Sequence, residues 1–306
     1  MSRVLVTGAN GYIGKHILSR LKQSTHDAYG IDYNTQDDNS ITLLDIRDSE
    51  ALKYFVKKFS IEVVVNCAGL KSVAESFTRK EDYFAVNTNA IGKLVEIAEE
   101  TTLTYIIQAS SAAVYGEQSE EFLHEEMSLK PISPYGESKM KAEEILLDAL
   151  KRGIIRSTSF RYFNVVGSAS KSMQDQGKSN LFPIIKECIT EKKIFEVFGS
   201  SYPTKDGTCE RDFIHVADVA DANLAIIDGL AETNYPPILN LGSGKSYSVL
   251  DVFNEFKEIL NLQAEIDFKA PRLGDSATVI ADMELARPYF NSLSFRSFRE
   301  MVSSSI

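Results

Sequence analysis

The first fourteen residues constrain the fold more than any other stretch. Val4-Leu5-Val6 reads as a short buried strand, Thr7-Gly8-Ala9-Asn10-Gly11-Tyr12-Ile13-Gly14 as a turn, and 16–22 as a helix. A strand, a glycine-rich turn and a helix, in that order, open a dinucleotide-binding α/β sheet. Gly8 permits the tight turn, Gly11 lets the backbone approach a pyrophosphate, and Gly14 lets helix pack on strand. Helix N–H groups then face the phosphates. A second strand over 28–31 ends in Asp32, eighteen residues after Gly14. An acid there accepts hydrogen bonds from ribose hydroxyls and repels a 2′-phosphate, which favours NAD over NADP.

Downstream, apolar strands at 41–44, 62–66, 104–109 and 157–162 alternate with helices at 49–59, 83–101 and 134–151. Strands apolar on both faces, separated by helices, imply a doubly wound parallel sheet, an NAD-binding Rossmann fold. Its ligands lie at the carboxyl ends of the strands, where Gly8, Asp32, Gly69 and Ser110 fall. Asn87 and Asn89 read as polar positions of the 83–101 helix. From Ser168 the chain turns polar and loop-like, which marks a boundary. The expected division is a dinucleotide domain over 1–167, to which 213–245 returns, and a smaller C-terminal α/β substrate-binding domain over 168–306.

Ser133-Pro134-Tyr135-Gly136-Glu137-Ser138-Lys139 has a capping serine and a proline suited to a first helical turn. Tyr135 and Lys139 then share a helix face. Bringing a phenol from about 10 to neutrality needs roughly 3 pKa units, about 4 kcal/mol. One neighbouring cation supplies roughly 1 to 3 units, so the lysine alone is marginal and a cationic nicotinamide would complete the shift. By itself the spacing fits a surface pair better, since both residue types are common. The glycine-rich turn upstream gives it chemical meaning.

A net charge of −10 argues against a nucleic-acid partner. Cys67, Cys188 and Cys209 lack paired spacing, and the four histidines are scattered. Reduced thiols and no metal site are expected. No apolar run reaches a membrane span, and the first strand leaves no room for a signal peptide, so a cytoplasmic protein is expected.

With these pieces in hand, the chain resembles the extended short-chain dehydrogenase/reductase superfamily. More narrowly it is similar to the UDP-glucose (UDP-galactose) 4-epimerase family. The match runs from TGANGYIG through LLDIRD, CAGLKSVAES, SSAAVYGE, SPYGESKMKAE, RYFNVVG and YPTKDGTCERDFIHVADVA to RLGDSATVIAD. The resemblance implies an NAD-dependent isomerase that inverts carbon 4 of a UDP-hexose through a transient 4-keto sugar. It makes Tyr135 the base, Lys139 its partner at the nicotinamide ribose, and Ser111 the hydrogen-bonding group at the sugar 4-hydroxyl. Gly8, Gly11, Tyr12, Ile13, Gly14, Asp32, Asp45, Ile46, Ala68, Gly69 and Lys71 fall at cofactor positions. Asn164, Asn180, Arg211, Arg272 and Asp275 fall at UDP-sugar positions. Fixed cations suit a diphosphate on an acidic protein. The resemblance also implies a homodimer through the helices over 83–101 and 135–151.

Four residues after Asp275, enzymes restricted to plain hexoses resemble one another in a bulky tyrosine. Val279 stands here, which suggests room for N-acetylated sugars. Ala112-Ala113 follows Ser111 where related dehydratases have an acidic pair. A uronate epimerase and a non-catalytic NAD or nucleotide-sugar sensor remain as alternatives.

Overall fold

The computed structural model describes residues 1–34, 40–177, 180–272 and 275–306. Lys178 and Ser179 of the polar stretch, and Leu273 and Gly274 between Arg272 and Asp275, lie outside the described residues.

The main sheet contains β1 (Arg3–Thr7), β2 (Asp27–Asp32), β3 (Ile41–Leu43), β4 (Val63–Asn66), β5 (Tyr105–Ser111), β6 (Arg156–Tyr162) and β7 (Ile238–Leu241). Every pairing is parallel and the order is β3-β2-β1-β4-β5-β6-β7. Alternate residues feed opposite faces. Val4, Val6, Val65 and Ile107 pack into one core with Ile17, Leu18 and Ile226. Leu5, Val64 and Ile106 pack into the other with Leu52, Leu94 and Leu146. Between β1 and β4 the strand order reverses, leaving a crevice at their carboxyl ends.

A smaller sheet joins Glu210–His215 to Ser246–Ser248 and Thr278–Ala281, and Thr278–Ala281 to Phe122–Leu123. Asn164–Val166 pairs in parallel with Phe213–His215. A third core of Phe182, Phe195, Phe213, Phe253 and Phe256 holds this half together. The chain crosses back through the helix Val216–Gly229, which packs on Tyr12–Lys22, and enters β7. Among the described residues no helix is long and apolar enough to cross a membrane.

The structure alters the sequence reading in two helical places. The first helix begins at Tyr12, with Gly11 as its N-cap, rather than at residue 16. Gly14 is therefore helical; a Cβ there would lie 2.1 Å from the Gly8 carbonyl oxygen, so only glycine fits. The 83–101 helix is Lys80–Phe84, a wider π turn at Ala85–Asn89, and Ala90–Ala98. That turn carries Asn87 inward, to 1% exposure, instead of leaving it on a polar face. The helix Pro134–Lys151 is capped as its sequence requires, Gly136 N–H donating to Ser133 Oγ at 3.1 Å. Its buried Ala142, Leu146 and Ala149 press it against the second core. Burying a leucine such as Leu146 contributes about 2 kcal/mol.

Candidate active site

A cleft of about 1160 Å³ opens at the carboxyl ends of β1, β2, β4 and β5. Gly8, Gly11, Tyr12, Ile13 and Gly14 form one wall, and Asp32, Asp45 and Ile46 continue it. At Gly8, with φ of +63°, a Cβ would stand 2.6 Å from Ala68 N. The turn thus lies directly on the Ala68-Gly69 loop after β4. Asp32 accepts hydrogen bonds from the backbone N–H of Asn10 (3.0 Å) and Asn34 (3.1 Å), which aim its carboxylate beside the turn. Arg47 hydrogen-bonds Asp45 and holds its carboxyl below the usual range. A dinucleotide fits this set: glycines where any side chain would collide, free helix N–H groups, and a fixed carboxylate at the end of β2.

Beneath the turn, buried polar side chains cross the sheet. Thr7 hydrogen-bonds Asn66, Asn66 Nδ2 donates to Gln108 Oε1 at 2.8 Å, and Gln108 Nε2 donates to the Ala109 carbonyl at 3.1 Å. Lys139 Nζ donates to the same carbonyl at 2.9 Å. The ladder therefore ends on the lysine.

Ser111, Tyr135 and Lys139 line the cleft together with Ala68, Gly69 and Lys71. Tyr135 packs edge-on to Tyr83, ring centroids 6.3 Å apart. Burial raises the Tyr135 phenol, and a hydrogen bond with Ser111 works against that rise. Lys139 Nζ is turned onto the Ala109 carbonyl. Burial brings Lys139 itself down to about 8, with Cys67 and Glu143 acting in the opposite direction.

Ser110 reaches the cleft wall, but its hydroxyl donates to Glu143. Asn164 and Asn180 also line the cleft, Asn180 as the N-cap of the helix Leu181–Thr190. Arg211, Arg272, Asp275 and Val279 do not reach its wall. Arg211 donates to the carbonyls of Glu210 (2.8 Å) and Ser276 (2.9 Å), and pairs across strands with Val279. Arg272 lies over the Phe198 ring at 3.8 Å.

Asn87 is a residue the sequence reading misplaced. Its Oδ1 accepts from Leu70 N–H at 2.9 Å, and its Nδ2 donates to the Leu70 carbonyl and to Ser138 Oγ. It ties the loop after β4 to the helix of Tyr135 and Lys139. Two asparagines one turn inside an otherwise apolar helix were the available signal.

The model of the NAD dependent epimerase/dehydratase family matches residues 4–242. The UDP-glucose 4-epimerase of Neisseria meningitidis serogroup C is 33% identical, over 100% of this chain and 96% of its own length. A crystal structure of UDP-glucose 4-epimerase from Stenotrophomonas maltophila, with bound NAD and formylated UDP-arabinopyranose, is 30% identical. It superposes with a TM-score of 0.94, over 100% of this chain and 97% of that one. The UDP-Glc/GlcNAc 4-epimerase of Campylobacter jejuni superposes at 0.85, with 29% identity over 100% of this chain and 98% of that one.

Proposed function

We infer a UDP-hexose 4-epimerase, from the premise that the chain belongs to the NAD dependent epimerase/dehydratase family. The observation that carries the reading is the convergence of Ser111, Tyr135 and Lys139 on the one cleft that also holds the glycine turn and Asp32. When bound against that turn, NAD supplies a reversible hydride acceptor and a cationic ring. Tyr135 takes the proton of the 4-hydroxyl as carbon 4 becomes a ketone, and returns it when the ketone is reduced on its other face. Ser111, whose hydroxyl accepts from Ala113 N–H at 3.2 Å, is held to hydrogen-bond the same oxygen. Lys139 holds the nicotinamide ribose. Gly8, Gly11, Gly14, Asp32, Asp45, Ile46 and Lys71 hold the rest of the dinucleotide. Asn164, Asn180, Arg211, Arg272 and Asp275 hold the UDP-sugar.

Val279 stands beside Arg211 across paired strands, where neighbouring side chains share a face. Val279 packs against the first core and does not line the cleft, so UDP-GlcNAc and UDP-GalNAc are proposed as substrates on the smaller volume of valine alone. The partner assigned with this activity is a second copy, through the helices over 83–101 and 135–151. Their exposed positions include Lys93, Glu96, Lys141 and Glu144, paired within each helix. Sedimentation that shows only monomer at low salt removes the dimer. The cytoplasm is the compartment assigned, in keeping with free thiols at Cys67, Cys188 and Cys209.

Incubation with UDP-galactose and, separately, UDP-GalNAc, without reductant, tests the whole reading. Both convert to their gluco epimers if it holds. Conversion of UDP-galactose alone removes the wide pocket. No conversion of either, with NAD supplied, removes the epimerase in favour of a uronate enzyme or a sensor.

A further inference from the structure

Tyr135, Lys139 and Glu143 recur at four-residue spacing and form one stripe on the helix Pro134–Lys151. The first two reach the cleft; the third turns away from it. Glu143 is 1% exposed, yet its carboxylate is fully engaged. It accepts from Ser110 Oγ, from Arg161 Nε at 3.1 Å and from Arg161 Nη2 at 2.8 Å. Arg161, on β6, is 3% exposed. Its remaining amine donates to the Glu125 carbonyl at 3.0 Å, and its guanidinium lies over the Tyr115 ring at 4.8 Å.

The network continues past Arg161. Tyr115 donates to Asn240 Oδ1 at 2.6 Å, and Asn240 Nδ2 donates to the carbonyls of Leu123 (2.6 Å) and Asp282 (3.2 Å). Leu123 and Asp282 border the strand pair that carries Val279. One buried polar chain therefore joins the helix of Tyr135 and Lys139 to the substrate half.

Stability does not explain such a pair, because apolar residues of like volume replace buried ion pairs at little or no cost. Geometry suggests another use. Ser110 directly follows Ala109, whose carbonyl receives Lys139 Nζ. Glu143 therefore grips the strand end on which the lysine rests. The groups facing Lys139 are the Cys67 thiol, from the loop after β4, and Glu143 from its own helix. Burial pushes Cys67 up to about 12, so at neutral pH it carries no charge.

We propose that Glu143, clamped by Ser110 and Arg161, is a positioning residue: it sets the rotation of the Tyr135–Lys139 helix on the ends of β5 and β6 and presents the negative charge that faces the Lys139 ammonium. The electrostatic part of this inference is independent of the epimerase reading. Only its rate consequence rests on that reading.

Two measurements on three proteins test it: wild type, Glu143→Asp, and the double variant Glu143→Leu/Arg161→Met. The double variant removes both charges and so leaves neither orphaned, which keeps it folded where Glu143→Gln alone would strand Arg161. Lysine ε-carbon resonances, with Lys139 assigned through Lys139→Arg, report its titration whether or not substrate turns over. In the double variant the Lys139 midpoint falls by about half a pH unit, less than a single-charge effect because the Arg161 cation leaves with Glu143. At pH above the wild-type midpoint, UDP-galactose turnover falls about threefold with KM unchanged, the rate following the proton equilibrium. Glu143→Asp keeps the charge and restores the midpoint. An unchanged midpoint in a folded double variant overturns the proposal, as does a shifted midpoint with wild-type turnover. A lowered midpoint in the double variant, with a wild type that never turns over, would leave the charge role standing and sink the epimerase.

Discussion

On the dinucleotide side of the cleft, polar groups are fixed by nearby backbone: Asp32 by Asn10 and Asn34 N–H, and Lys139 by the Ala109 carbonyl. The two arginines proposed for the nucleotide-sugar are engaged elsewhere. Arg211 rests on strand carbonyls and Arg272 on the Phe198 ring, and neither reaches the wall. The first half has its polar groups at the cleft, while the second has its two arginines turned away from it. Pre-organisation reduces what binding must spend on ordering, so the first half suits a cofactor kept through each cycle and the second a substrate exchanged at each turnover.

Substitutions should separate the halves. The largest effect belongs to Tyr135→Phe, which removes the proton acceptor: turnover falls about 10²- to 10⁴-fold, while NAD and UDP still bind. Retention of turnover within tenfold would take the tyrosine out of the chemistry. Gly14→Ala comes next, since its Cβ would collide with the Gly8 carbonyl at 2.1 Å. A cost of about 2 kcal/mol is expected for forcing a methyl into packed space, read as a lower melting temperature and weaker NAD binding. UDP binding should not change, and equal losses for both ligands would erase the contrast between the halves.

Arg272→Ala should do the reverse. Losing one charge-assisted hydrogen bond costs roughly 1.5 kcal/mol, about tenfold in UDP affinity, with NAD binding untouched in calorimetry. Stability should also depend on pH. Burial holds Lys139 at about 8 against an ordinary 10.5, so between those values the unfolded chain binds the extra proton. This contribution is fully present above 10.5 and lost as pH falls through 8. Urea midpoints of wild type minus Lys139→Met should therefore rise across that window, and a flat difference would mean that the buried lysine titrates normally.

Much of the fold was legible in the residues because its signals are local. The capped helix from Pro134 follows from Ser133 and the proline, and the glycine turn from three glycines in a strand-to-helix context. The misreadings share a cause. Asn87 was placed on a polar face because its side chain was judged by helical period alone, and the π turn that redirects it comes from bonds to Leu70 and Ser138. Ser110 falls at a strand end and lines the cleft as its position implies, but its hydroxyl is taken by Glu143 thirty-three residues on.

By itself the sequence determined the parallel sheet, the strand ends that form the cleft, and the tyrosine and lysine on one helix face. Each follows from residue period, capping or glycine geometry over a few positions, where backbone sterics leave little choice. Only the tertiary structure decided which polar residues serve chemistry and which serve each other. A buried donor or acceptor must find its partner wherever the fold places one, as Glu143 finds Arg161 and Asn240 finds Leu123 and Tyr115. Those partners lie far apart in the chain, and no local pattern records them.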